Sequence, residues 1–349
     1  MKRRTFLKFT TAAAASAVAA PYVHAQSKKF AGITLRMNGW GGRWDAALAN
    51  AAAPLEEKYG LKIRLDVGTS AAQTVKLIAE KDSPPFDLFQ GDSSVMVELL
   101  KAGVIEEIKA SDVPNIKRIL PGYREFGDYG VPFSLSAIGP AYNPKYIKQP
   151  LTSYSDMARS DLKSRVVLIA ATTRTSSLYL LAFAEENGGS VSNMDPAWKI
   201  LEAAKPNIVA LTPSQTPQLQ MYQAEEAYAG IFWNDGANQL RDKGFPIEFV
   251  VPEKGIYATL TYVNVVNGMK YPEAAHAFAE HLLSDEGMLA LTGVSRQDVT
   301  TDVKLPDELR KQLLFTTPER IALKKKIDWE LFSAGFSDRI ERFNKIVRT

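Results

Sequence analysis

Residues 33–67 read ITLRMNGWGGRWDAALANAAAPLEEKYGLKIRLDV, and this stretch decides the fold. Apolar residues stand at positions 33, 35 and 37, and this alternation predicts a strand. Apolar residues then recur at helical spacing until Gly60, a residue type that commonly follows the last turn of a helix. After Gly60 the alternation returns as far as Val67. The stretch therefore predicts a strand, a helix and a second strand in succession.

The same succession of strands and helices continues along the chain. Further helices are predicted at 75–79, 96–102 and 178–186, and further strands at 86–89, 165–170, 208–211 and 229–233. Alternation of this kind predicts an α/β fold, with mixed, mostly parallel sheets flanked by helices. After residue 266 only helical patterns remain, at 272–283, 286–291, 306–314 and most of 317–347.

Two long extended segments, 129–143 and 247–266, separate the α/β units. They predict that the chain crosses between two lobes and returns, which leaves a cleft between the lobes and a hinge at the crossing strands. We expect a signal segment at 1–25, a first lobe at 26–133 plus 256–301, and a second lobe at 134–255 plus 302–349.

The first 25 residues have the features of an export signal of the twin-arginine type. Residues 3–8 read RRTFLK, residues 9–20 are apolar and rich in alanine, and residues 23–25 read VHA, which suits a cleavage site. The apolar stretch is shorter than the ~20 residues that a membrane helix needs. We therefore predict cleavage near Ala25, a periplasmic location and no stable membrane insertion.

Charge and composition exclude several classes of function. The whole chain has 42 Lys and Arg against 39 Asp and Glu, but loss of residues 1–25 removes four basic residues and no acid, so the remainder is nearly neutral. A neutral chain gives no support to nucleic-acid binding. There is no cysteine, and His276 and His281 are five residues apart, which does not place them on one helix face. We expect no metal, no cofactor and no catalytic residues. The lysine run at 324–326 has helical neighbours, and we expect it to form a solvated helix face.

Two neighbouring segments carry a resemblance to a known family. Residues 231–236 read IFWNDG and residues 246–255 read PIEFVVPEKG; they are similar to the Trp-Asn turn and the return crossing of periplasmic solute-binding proteins of ABC importers. The similarity is to the spermidine/putrescine-binding branch and its iron, thiamine, sulfate and phosphonate relatives. Shorter matches are NGW at 38–40, YGVP at 129–132 and AIG at 137–139. The resemblance implies a type II periplasmic binding fold, a small-molecule ligand, permease subunits as partners and no enzymatic activity. We expect a monomer.

The resemblance also implies where the ligand lies, in loops at the carboxyl ends of strands. The positions that we expect to bind it are Trp40, Arg43, Ser93, Ser94, Arg174, Thr175, Ser176, Trp233, Tyr257 and Thr259. Trp40 and Trp233 match the cleft tryptophans of the family. Trp44 lies on a helix stripe and is expected in the core. Asp92 and Asp235 are expected to cap the helices that follow them.

The charge of the ligand is predicted from two loops. Polyamine binders hold ammonium groups with carboxylates, but residues 172–177 read TTRTSS and residues 257–261 read YATLT, with no acid in either. Residues 172–177 also open a helix, whose N-terminus attracts anions, and Arg174 adds a two-pronged donor. We expect an anionic ligand: a carboxylate, a sulfonate or a phosphonate. The alternatives are a polyamine ligand, a hydroxyl that only caps the helix, and an Arg174 that faces solvent. Arg43 is either a second anion contact or a stacked surface arginine.

An exported hydrolase or cofactor enzyme is the rival class of function. The sequence has no Gly-x-Ser-x-Gly elbow, no Gly-x-Gly-x-x-Gly motif, no phosphate loop and no histidine pair with metal spacing. Pairs of carboxylates that meet in the fold are not excluded by sequence.

Overall fold

A computed structural model describes residues 28–171 and 176–348, and the expected signal segment lies outside these residues. The described strands are β1 Thr34–Gly39, β2 Lys62–Val67, β3 Leu88–Asp92, β4 Val131–Tyr142, β5 Val166–Ile169, β6 Ile208–Thr212, β7 Ala229–Trp233, β8 Glu248–Phe249 and β9 Tyr257–Val265. The described helices are α1 Gly42–Tyr59, α2 Ser70–Ala79, α3 Ser93–Ala102, α4 Leu178–Glu186, α5 Asp195–Ala204, α6 Gln215–Gln223, α7 Asn234–Asp242, α8 Pro272–Leu282, α9 Asp285–Ser295, α10 Asp307–Gln312, α11 Pro318–Ile321, α12 Trp329–Ala334 and α13 Phe336–Arg348.

The strands form one mixed sheet in the order β2-β1-β3-β9-β4-β7-β5-β6, and β8 pairs with β4. Strand β1 is parallel to β2 and β3, and β5 is parallel to β6 and β7. Between these two parallel groups, β9 and β4 run antiparallel to each other and to their outer neighbours. The predicted α/β class is confirmed. We call β1–β3 the first group and β5–β7 the second group.

The two predicted extended segments form the centre of the sheet. Strands β4 and β9 pair from Val131 opposite Val263 to Ile138 opposite Tyr257, and every residue of both strands is buried. Burial on both faces is typical of strands at the centre of a sheet. The chain therefore passes between the two groups through long strands rather than through flexible loops.

Helix α1 shows how the opening stretch folds. Gly41, at φ +83°, precedes the helix, and Gly60, at φ +74°, ends it with its N–H bonded to the carbonyl of Glu56. Both dihedrals lie in the left-handed region that glycine adopts without strain. The buried face of α1, which includes Leu48 and Leu55, packs in one apolar cluster with β1, α8 and α9. None of the described helices is both long enough and apolar enough to span a bilayer.

The prediction that the lysine run at 324–326 forms a solvated helix face is wrong. The segment is extended and pairs with Ile256, whose N–H and C=O bond the backbone of Leu323 and Lys325. The Lys324 side chain is 8% exposed and its Nζ lies 2.6 Å from Oε1 of Glu125. Backbone pairing with Ile256, just before β9, thus determines the conformation of this segment, against the helical spacing of its apolar residues.

Candidate functional site

The carboxyl ends of strands in both groups open onto one cleft. The cleft consists of two cavities, of about 310 and 190 Å³, that share the lining residues Trp40, Gln215, Asp235 and Gln297. The larger cavity is also lined by Gly41, Gly42, Arg43, Trp44, Ser214, Thr216, Leu219, Gln239 and Ser295. The smaller cavity is also lined by Ser70, Asp92, Ser136, Trp233, Thr259 and Thr261. Residues at or just after the carboxyl ends of β1, β2, β3, β6 and β7 thus meet at the cleft. The two groups run in opposite directions, so their carboxyl ends face each other near the middle of β4 and β9.

Tryptophan side chains form flat walls of the cleft. The rings of Trp40 and Trp44 stack with centroids 5.4 Å apart, and Trp44 Nε1 donates a 2.7 Å hydrogen bond to Oε1 of Gln90. Trp44 also packs against Phe133, so it serves the core, as expected, and the larger cavity as well. Trp233, at the end of β7, lines the smaller cavity. The walls suit a ligand with an apolar skeleton.

Asp235 is the central acid of the cleft, and its predicted role as a helix cap is wrong. Helix α7 begins at Asn234 with Trp233 at the cap position, so Asp235 lies one residue inside the helix. Its carboxylate accepts hydrogen bonds from Ser136 Oγ at 2.6 Å and Gln215 Nε2 at 3.1 Å. Burial raises the pKa of Asp235 above its ordinary value, against these two hydrogen bonds, which lower it. The carboxylate is therefore held rigidly at the boundary of both cavities.

Asp92 lines the smaller cavity and is confirmed as the N-cap of α3, since its Oδ1 accepts the N–H of Ser94 at 2.8 Å. Ser93 and Ser94 are fully buried, and neither lines either of the two cleft cavities in the described structure. Ser93 Oγ donates to Oε2 of Glu125 at 2.7 Å, while Ser94 Oγ donates to Asp92. These two serines therefore organise the start of α3 behind the cleft.

Arg43 lies in the wall of the larger cavity but is already paired. Its Nη2 lies 3.1 Å from Oδ2 of Asp242, the last residue of α7, and its Nε donates to the carbonyl of Val294. Arg296 reaches the same carboxylate oxygen with its Nε at 3.0 Å. This arrangement joins α1 to α7 across the cleft. Arg43 also lines the larger cavity, and its two expected roles, a second anion contact or a stacked surface arginine, stay predictions.

The remaining residues that we expected to contact the ligand differ in where they lie. Thr259 lines the smaller cavity beside Ser136, its partner across the β4–β9 pair. Tyr257 is 1% exposed, packs against Tyr154, and in the described structure lies outside both cavities. Ser176 is buried and its Oγ donates to the carbonyl of Ala170 at 2.9 Å. Arg174 and Thr175 lie outside the described residues.

Several cleft residues carry no sequence signal that predicts them. Gln215, Gln239 and Gln297 line the cavities, and each is a polar residue without a motif. Position after a strand could have identified Gln215, which follows β6 closely.

Behind Asp235 lies Asp298, which is fully buried. Burial raises the pKa of Asp298 to about 7, against the hydrogen bonds from Phe315 N–H, Asn234 and Leu314 N–H, which lower it.

The described residues offer hydrogen bonds to a ligand rather than a metal centre. Among residues 28–171 and 176–348, no three His, Cys, Asp or Glu side chains lie close enough to hold a metal ion. His276 is bonded to Glu106, which raises the pKa of the imidazole, and His281 is bonded to the carbonyl of Ala51. The described cleft walls contain two carboxylates, one paired guanidinium, hydroxyls and amides, which suits a small polar solute.

Known proteins resemble this chain in sequence and in fold. Residues 50–316 match the family described as bacterial extracellular solute-binding protein. The spermidine/putrescine-binding periplasmic protein of Salmonella typhimurium is 27% identical over 191 residues. That match covers 52% of this chain, and the chain spans about half of the relative's length, 53%.

Solved structures of similar fold cover nearly the whole chain. An ABC transporter substrate-binding protein from Bradyrhizobium japonicum superimposes with a TM-score of 0.76 at 19% identity, over 90% of this chain and 99% of that one. A periplasmic binding protein from Actinobacillus pleuropneumoniae with fructose-6-phosphate bound gives a TM-score of 0.72 at 21% identity, over 91% and 98%. These likenesses confirm the expected periplasmic binding fold. Since the family match covers most of the chain, the protein belongs to the bacterial extracellular solute-binding protein family.

Proposed function

We propose that this protein is the periplasmic substrate-binding component of an ABC importer. It captures one small organic solute in the cleft and presents it, unaltered, to permease subunits. The observation that supports this most is that residues at the carboxyl ends of strands from both groups line two neighbouring cavities, which share four lining residues. Solute capture needs shape and hydrogen bonds, and the lining residues of the two cavities supply both.

The central strands suit a hinge in this function. The first group and the second group are joined by β4 and β9, so small φ/ψ changes near the middle of these strands would open the cleft. The ion pairs that Asp242 forms with Arg43 and Arg296 join the two sides of the cleft in the described conformation. Small-angle scattering should therefore detect compaction when a stabilising solute is added to the exported protein.

The solute of this proposal carries an anionic group and hydrogen-bond donors. The anion belongs at residues 172–177, which follow β5; this strand lies between β7 and β6, whose following residues line the cleft. The carboxylates of Asp92 and Asp235 line the smaller cavity and can only accept hydrogen bonds when ionised. The part of the solute that faces them must therefore bear hydroxyl or ammonium groups.

A matched series of four-carbon solutes tests this class. Succinate carries two anions, 4-aminobutyrate one anion and one ammonium, and putrescine two ammonium groups on a chain of similar length. A solute at 100 times its Kd stabilises the folded state by about 2.7 kcal/mol, which a thermal unfolding curve resolves. We expect the largest shift with 4-aminobutyrate. A shift with putrescine alone would contradict the anionic group.

Polyamine binding is the second candidate, and the two cleft carboxylates favour it. The Salmonella typhimurium relative is described as binding spermidine and putrescine, at 27% identity. The ammonium groups of a polyamine would bind the carboxylates of Asp92 and Asp235. Residues 172–177 contain no acid that could bind them. The four-carbon series separates the two candidates directly.

Arg174→Ala tests the expected anion contact. Loss of a charged hydrogen bond should weaken the binding of an anionic solute by about 1.5–3 kcal/mol. Arg64→Ala is a matched control, because the Arg64 side chain is 60% exposed and Arg64 does not line either described cavity. Equal affinity of the two variants by calorimetry would remove Arg174 from the site.

Recovery of a chemically changed solute, detected by NMR after incubation with the protein, would favour the hydrolase alternative instead.

A further inference from the structure

A buried polar network lies directly behind the cleft. Asn234 Oδ1 accepts the N–H of Ala137 at 2.8 Å and lies 3.0 Å from Ser136 Oγ. The same serine hydroxyl lies 2.6 Å from the carboxylate of Asp235. Asn234 Nδ2 donates to Oδ2 of Asp298 at 2.9 Å. These polar side chains are 5% exposed or less, so each hydrogen bond lies in surroundings where an unpaired group is costly.

The side-chain amide of Asn234 can bond the carboxylate of Asp298 in only one orientation. An amide oxygen only accepts hydrogen bonds and an amide nitrogen only donates them, so the two ends of Asn234 are not interchangeable. The acceptor Asp298 on one side requires Nδ2 to point toward it, and this leaves Oδ1 for Ala137 and Ser136. Two partners therefore fix the orientation of Asn234: the N–H of Ala137 and a carboxylate that does not line the described cavities.

Asp298 is itself held by two parts of the chain. Its backbone N–H and C=O both pair with Leu135 of β4, at 2.8 and 3.1 Å. Its Oδ1 accepts the N–H groups of Leu314 and Phe315, at 2.7 and 2.6 Å. Leu313 packs in the apolar cluster that contains α1 and α8, whereas Phe315 packs in the cluster that contains α4 and β5. The chain passes from one cluster to the other at the two amides that Asp298 binds.

We propose that Asp298 is a positioning residue of the solute cleft. Through Asn234 it orients the Ser136–Asp235 pair, and through Leu314 and Phe315 it ties this pair to the C-terminal segment, by which we mean the residues that follow α10. The consequence for solute affinity rests on the proposed function, whereas the orientation of Asn234 does not. Solute capture at Asp235 and the packing of the C-terminal segment thus share one buried carboxylate.

The test uses amide hydrogen exchange of the ligand-free protein at pH 8, where Asp298 is ionised in the folded protein, with three variants. In Asp298→Asn, either orientation of the new amide places an N–H group against another donor, Asn234 Nδ2 or the backbone amides. We expect the protection of the Ala137 amide to fall about tenfold, the scale of one hydrogen bond. Combining Asn234→Asp with Asp298→Asn reverses the donor and acceptor, satisfies both ends again and should restore protection. Asp87→Asn is the control, since Asp87 is also buried but pairs with Arg36.

The outcomes decide the proposal without knowledge of the natural solute. Loss of protection at Ala137 in Asp298→Asn, its recovery in the double variant and unchanged protection in Asp87→Asn would support the positioning role. Unchanged protection in Asp298→Asn, or equal loss in the single and double variants, would overturn it. Failure of the proposed function would appear separately, as the absence of any thermal shift with succinate, 4-aminobutyrate or putrescine in the unsubstituted protein.

Discussion

The free energy of unfolding should fall as pH rises from 5 to 8, and Asp298 should account for a large part of the fall. Burial raises the pKa of Asp298 to about 7 in the folded protein, against 3.8 for an ordinary aspartate. Between these values the folded state binds more protons than the unfolded chain, so the contribution is fully present below pH 4 and is lost as pH rises through 7. The full loss is about 4 kcal/mol, of which about 3 kcal/mol falls between pH 5 and pH 8.

The assay is denaturant unfolding of the unsubstituted protein and of Asp298→Asn at pH 5, 6, 7 and 8. The variant has a constant cost from its mismatched amide, so the informative quantity is the difference between the two free energies as a function of pH. We expect this difference to change by about 3 kcal/mol over the range. Asp87→Asn is the control: hydrogen bonds from Arg36 lower the pKa of Asp87, so this residue is ionised throughout the range.

A difference between the unsubstituted protein and Asp298→Asn that stays constant from pH 5 to pH 8 would refute the reasoning. It would mean that the three hydrogen bonds to the carboxylate outweigh the cost of burying its charge. An equal slope change in Asp87→Asn would show that the effect belongs to buried acids in general and not to Asp298.

Further predictions concern packing and ion pairs away from the cleft. Gly230→Ala places a Cβ 2.1 Å from a backbone carbonyl oxygen of β5 and should cost about 3 kcal/mol of unfolding free energy. Gly293→Ala, at an exposed helical position with no neighbouring atom within 4 Å, should instead stabilise the protein by about 1 kcal/mol. His276→Gln should flatten the loss of stability as pH rises above 6.5, because Glu106 raises the pKa of the imidazole and favours its charged form. Asp87→Ala leaves an arginine without its buried partner and should cost about 3 kcal/mol.

Chemical unfolding curves check all of these predictions. Equal stability of Gly230→Ala and Gly293→Ala would contradict the close approach of β5 and β7. A pH slope in His276→Gln as steep as in the unsubstituted protein would contradict the ion pair with Glu106. A cost below about 1 kcal/mol for Asp87→Ala would place its ion pair among weak surface pairs.

Local patterns predict most of the architecture. The helix Leu178–Glu186 and the strand Ala229–Trp233 lie where continuous apolar stretches predict them, because nearly all of their apolar side chains are buried. No comparable signal predicts α6, a polar helix of nine residues that brings Gln215 to the cleft. Its position depends on packing against β5, β6 and α7 and not on its own amphipathic face.

The candidate site was only partly predictable for the same reason. Trp40, Trp233 and Thr259 follow or lie in strands and reach the cleft, whereas Ser93 and Ser94 follow β3 equally closely and turn to Glu125 and Asp92. Which way a side chain turns depends on the partner that the fold supplies. Glu125 is 32 residues from Ser93, and such partners leave no mark in the local sequence.

The sequence alone determined the α/β class, the two crossing strands and the family, because periodic burial and short turn motifs are local properties of the chain. Only the tertiary structure decided which polar groups share a site. Asp298, Asn234 and Ser136 come from three distant segments and meet because β4, α7 and the residues just after α9 pack together. Hydrogen bonds of this kind depend on the distance between atoms in space, which spacing along the chain does not specify.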